Sequence, residues 1–69
     1  MDEIKEAPIL PEYSDVKLVN DYKRDELSLP AGAIGTIVDI YPDFKSYTVE
    51  FFEPIRVVET VAMTLVTPV

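Results

Sequence analysis

The chain predicts an all-β fold, a small and partly open barrel of five strands. Three observations lead there. No segment carries the 3.6-residue apolar period of a helix of normal length. Short runs rich in Val, Ile, Thr, Tyr and Phe recur between Pro- and Gly-containing turns. The stretch Leu29 to Phe52, LPAGAIGTIVDIYPDFKSYTVEFF, reads as turn, strand, turn, strand. A lone hairpin is unstable in water, so several short strands in one small chain must close on one another.

Taken in order, residues 1–13 read as an extended N-terminal arm, and residues 14–69 as the barrel domain. Pro8 and Pro11 remove backbone donors and bias the residues before them away from helix. Ile9, Leu10 and Tyr13 are the arm's means of attachment. Asp15 to Asn20, DVKLVN, alternates Val16 and Leu18 with Lys17, the pattern of a half-buried strand. Asp21 to Ser28, DYKRDELS, is charged and aperiodic, and is expected as a long loop. Leu29-Pro30-Ala31-Gly32 places Pro second and Gly fourth, as a type I turn favours. Ala33 to Tyr41 is the second strand. Tyr41-Pro42-Asp43-Phe44 again has Pro second in a turn, and Ser46 to Phe52 returns as the third strand. Glu53-Pro54-Ile55 breaks it, Val57 to Met63 is the fourth strand, and Leu65 to Val69 the fifth. Adjacent Ile37 and Val38 cannot share one face of a flat strand. Gly35 just before them permits a bend or bulge, which a small coiled barrel needs.

Composition removes several classes of function. The chain has 69 residues, so it forms a single domain. It has no Cys and no His, which excludes disulfides and the usual ligands of structural zinc. A domain this small buries only about 60% of its unfolded surface, so a partner or a second copy is the remaining route to extra stability. No apolar run approaches the length of a membrane helix, and MDEIKEAPILPEY is not a signal peptide. The expected location is the cytoplasm, without membrane association. Thirteen acids against six bases give a net charge of −7. Such a balance opposes nucleic-acid binding, which needs clustered Lys and Arg against phosphate, and it favours a basic protein partner.

Little in the chain supports catalysis, and no cofactor or metal is expected. Ser14, Ser28 and Ser46 all fall in expected loops without a recognisable base. Asp39 and Glu50 lie on neighbouring strands but are read as ordinary outer-face acids. Asp21, Asp25 and Glu26 are the densest acidic group, without EF-hand spacing. Gly32 and Gly35 are explained by turn and bend geometry, not by a phosphate-binding loop.

The motif residues resemble a known family. Leu29-Pro30-Ala31-Gly32, Gly35-Thr36-Ile37-Val38-Asp39-Ile40-Tyr41 and Tyr47-Thr48-Val49-Glu50-Phe51, with Asp15 to Val19 as a first strand, resemble the domain of unknown function 4926 (DUF4926) family of small bacterial proteins. The resemblance runs from about Asp15 to Leu65 and implies an SH3-like barrel. It carries no catalytic motif. It implies short stand-alone proteins, some of them accompanying toxin-like or nuclease-like partners. Part of the pattern is shared with barrels of the KOW type and of the nitrile hydratase β-subunit type.

The resulting reading is a non-enzymatic protein-interaction module, antitoxin-like or immunity-like, that binds another protein and can pair with itself. The alternatives are a KOW-like nucleic-acid or ribosome-associated module, or a structural barrel of a larger enzyme. Tyr22, Lys23 and Arg24 in the charged loop, Phe44 at the hairpin tip and Phe52 at a strand end are the candidate partner-binding residues. Aromatic side chains in loops suit interfaces. Phe51-Phe52 and Val57-Val58 place apolar side chains on both faces of their strands, more than one small core can cover.

Overall fold

A computed structural model describes residues 9–69. Residues 1–8 of the expected arm lie outside the described residues. Seven strands follow in order: β1 (Asp15–Leu18), β2 (Tyr22–Arg24), β3 (Leu27–Leu29), β4 (Ile34–Tyr41), β5 (Ser46–Glu53), β6 (Val57–Ala62) and β7 (Val66–Pro68). Short 3-10 turns at Pro42–Phe44 and Met63–Leu65 join β4 to β5 and β6 to β7. Five strands form one antiparallel sheet in the order β6-β5-β4-β1-β7, and β2 and β3 form a separate hairpin. The sheet coils into the expected partly open barrel, with β6 and β7 as its two edges.

The core follows the two-residue period of each strand. Val16 and Leu18 of β1 face Ile37 of β4, Tyr47, Val49 and Phe51 of β5, Val61 of β6 and Val66 of β7, all buried. Leu29 of β3 closes this cluster from the hairpin side. The Tyr47 ring is buried, and its hydroxyl accepts a hydrogen bond from the Leu10 N–H at 2.8 Å. The Tyr13 N–H donates to Ile37 O, and the Ile37 N–H to Ser14 O. The described part of the arm is therefore docked on the barrel, with Leu10 packed against the core.

Two bulges resolve the crowding of adjacent apolar residues. Ile37 pairs with Val49 and Asp39 with Thr48, so Val38 is the extra residue and lies half-buried beside the fully buried Ile37. Ile34 pairs with Glu53 and Gly35 with Phe51, so Phe52 is extra on the opposite strand. At Gly35 the strands approach so closely that a Cβ would sit 2.7 Å from Glu50 O and 2.8 Å from Phe51 Cα. The glycine is required there by space.

Three local expectations need correction. Asp21 to Ser28 is not a loop: Tyr22–Arg24 and Leu27–Leu29 pair as a hairpin turning at Asp25-Glu26, with Asp25 at φ +55. Short aspartate side chains tolerate that left-handed backbone, and this is what lets so charged a segment turn within two residues. The next turn lies one residue later than expected. The Ala33 N–H donates to Pro30 O, and Gly32 occupies the third position at φ +93, as a type II turn demands. The hairpin tip is a 3-10 turn, Pro42–Phe44, closed by Lys45 at φ +51, whose N–H donates to Pro42 O.

Candidate interaction surface

The polar feature that shapes the molecule arises on β6. In VVETVA, residues of one parity point into the barrel, so the inward row is Val57, Glu59, Val61 and the outward row is Val58, Thr60, Ala62. Glu59 is therefore an acid in an apolar row, opposite Val49 of β5, and only 6% exposed. A buried carboxylate must be paired and hydrogen-bonded to stay charged. The hairpin supplies both needs. Tyr22 and Arg24 are two residues apart on β2 and so project to the same side. Arg24 donates from Nε to Glu59 Oε1 and from an η nitrogen to Oε2, each at 2.7 Å. This is the forked geometry in which guanidinium and carboxylate match best. The Tyr22 hydroxyl donates to Oε1 at 2.9 Å.

These contacts set the charges. Hydrogen bonding to Arg24 holds the Glu59 carboxyl below its ordinary value of 4.5, against the opposing effect of burial. Burial, then the hydrogen bond to Glu59, pushes the Tyr22 phenol above 10.0. Glu59 also raises the Arg24 guanidinium, which stays charged throughout. Just over half of the Arg24 side chain remains exposed, and its other η nitrogen meets Asp25 at 3.2 Å.

Tyr22, Arg24, Val58, Glu59 and Thr60 together line an open cleft of about 320 Å³ between the hairpin and β6. Beside it, no backbone hydrogen bond reaches the outer edge of β6 among the described residues. At the opposite edge of the sheet β7 has three residues and ends in Pro68.

The family model described as a domain of unknown function, DUF4926, matches residues 12–68. The chain belongs to the DUF4926 family. No curated protein and no solved structure matches it.

Within the DUF4926 domain the five candidate residues do not form one patch. Tyr22 and Arg24 converge on Glu59, where they join two parts of the same chain. Lys23, between them, is exposed. Phe44 is 80% exposed at the hairpin tip, while Phe52 is 44% exposed at the far end of β5. Most of β5, on the order of 20 Å of strand, lies between these two positions. Among the described residues no group of three His, Cys, Asp or Glu side chains is placed to hold a metal. Asp21 and Asp25 have separate roles, Asp21 accepting from the Ala31 N–H and Asp25 pairing with Arg24. Asp39 and Glu50 face Thr48 and Thr36 in the ladder, not each other, and Asp39 accepts from the Tyr41 hydroxyl.

Two features of the DUF4926 domain escape a reading by residue type. Glu59 was legible in principle: it shares parity with Val57 and Val61, so an inward-facing strand had to bury it. Tyr13 carried no such signal. It occupies the third position of a turn in which the Ser14 N–H donates to Pro11 O, at φ +71, with its ring 71% exposed. Bulky residues avoid that backbone region.

Proposed function

We propose that this DUF4926 domain is a non-enzymatic interaction module of the cytoplasm that captures a basic protein, in the manner of an antitoxin or immunity protein restraining a toxin-like or nuclease-like partner. The observation that carries this reading is Phe44. Its ring is 80% exposed on a tip held by Pro42, by the Lys45 N–H to Pro42 O and by the Ser46 hydroxyl to Phe44 O. A large apolar side chain on a preorganised loop loses little freedom on binding, which is how an anchor residue gains affinity. Asp43 lies next to it, and the chain carries a net charge of −7. Together these favour a partner bearing Lys or Arg, whose cationic groups suit both carboxylate and aromatic face. The adjacent basic pair does not offer a phosphate site, because Arg24 is already forked onto Glu59.

The test uses the tagged chain as bait and a basic protein that co-purifies with it. Phe44→Ala is expected to weaken their complex at least about tenfold while unfolding stability stays within about 0.5 kcal/mol. Equal affinity for variant and wild type would remove the anchor, and with it this reading. Tyr22→Ala, by contrast, is expected to lower stability, because it strips a hydrogen bond from buried Glu59.

A further inference from the structure

We propose that the free edge of β6 is a self-association surface, on which a second copy of this chain adds its own β6 antiparallel so that two five-stranded sheets run on as one. The two sheet edges differ in a way that singles out β6. A sheet edge is a row of unpaired N–H and C=O groups that templates another strand, and proteins blunt such edges with short strands, Pro or Lys. β7 has the first two protections: it is three residues long and ends in Pro68. β6 is six residues long, contains no Pro or Lys, and is built mostly of β-branched residues. Its single inward charge, Glu59, would be a further protection, but Arg24 and Tyr22 neutralise and satisfy it.

The occupant follows from charge and symmetry. The chain holds 13 acids, yet the outward residues of β6, Val58, Thr60 and Ala62, are all neutral. Two copies can therefore meet there without a facing row of like charges, and a two-fold axis makes the strand its own complement. A standard interface buries about 800 Å² per partner, roughly one sixth of the 4856 Å² exposed here. Strand pairing alone falls short of that. Phe52, Ile55 and Val58, at 44%, 46% and 55% exposure around the β5–β6 turn, supply apolar area to extend it. The readout is self-association of the untagged chain with no second protein present, so its failure is distinct from failure of the Phe44 anchor.

Sedimentation equilibrium of the untagged chain from about 1 to about 500 µM tests this by mass action. The wild type is expected to pass from its monomer mass of 7.8 kDa to twice that value. The double variant Val58→Lys, Thr60→Lys, altering two exposed positions, is expected to raise the dissociation constant at least about 100-fold, as edge lysines do, with an unchanged circular dichroism spectrum. A wild type that stays monomeric throughout, or a folded double variant that associates equally well, overturns the proposal. Should the double variant unfold, a nitroxide on Thr60→Cys decides. The chain has no other cysteine, and an edge-to-edge dimer brings the two labels within about 20 Å, from strand spacing plus label length. A longer distance, or no dipolar coupling at the higher concentrations, refutes β6 pairing.

Discussion

At the scale of single residues, three backbone positions act through different physics. Gly35 is limited by space. A methyl group there meets backbone atoms at 2.7 and 2.8 Å, which cannot swing aside as a side chain would. Gly35→Ala is expected to cost about 1–3 kcal/mol as an overpacked site, measured by urea denaturation. Gly32 is limited by conformation alone: nothing lies within 4 Å of a Cβ there, but φ is +93. Gly32→Ala is expected to cost about 1 kcal/mol from left-handed strain. Tyr13 is the converse case, a bulky residue already at φ +71. Tyr13→Asn, in a turn position where Asn is tolerated, is expected to stabilise by up to about 1 kcal/mol, because the 71%-exposed ring gives up little burial. Loss of stability in that variant would show that the ring's contacts outweigh its strain.

At the scale of elements, the central question is what holds the β2–β3 hairpin to the sheet. Its polar tie is Glu59, and this makes the link pH-dependent. The folded carboxyl lies below the unfolded value of 4.5, so the unfolded chain binds the proton more tightly. The stabilisation is full above about 4.5 and is lost as pH falls through the folded value. Tyr22 acts in the opposite sense, its contribution being present below 10.0 and lost as pH rises through its raised value. Glu59→Gln is expected to lower stability by about 1 kcal/mol at neutral pH, less than is usual for charged hydrogen bonds because the Arg24 side chain is half in water. Denaturation curves of wild type and variant are expected to converge on acidification below pH 4.5. A constant gap would mean that Glu59 carries no charge-dependent stability. The sheet strands were legible in the sequence because burial there follows the two-residue period: β1, β4, β5, β6 and β7 lie within the expected segments, apart from Glu53 at the end of β5. The hairpin was not, because its two three-residue strands carry the polar pattern of a loop. Its strand conformation is set by contacts far along the chain, Leu29 in the core and Tyr22 and Arg24 on Glu59. Candidate residues chosen by type alone therefore mixed two duties: Tyr22 and Arg24 hold the fold together, while Phe44 and Phe52 project outward.

At the scale of the whole molecule, a chain with no Cys must stabilise a small barrel by shape and pairing alone. The arm contributes by laying Leu10 on the core and its N–H on Tyr47. Removing residues 1–12 is accordingly expected to lower the melting temperature by several degrees, since about 1 kcal/mol corresponds to roughly 4–8 °C in so small a domain. An unchanged melting temperature would show the docked arm to be energetically idle. The tie between hairpin and β6 has a further consequence, in the order in which the parts assemble and come loose. β4, β5 and β6 are neighbours in the chain and form a meander through short turns. Tyr22 and Arg24 reach Glu59 across 37 and 35 residues of sequence. Closing that loop is worthwhile only once the meander has presented Glu59. The hairpin is thus expected to dock last and undock first, with its amides from Tyr22 to Leu29 exchanging with solvent deuterium faster than those of β4 and β5.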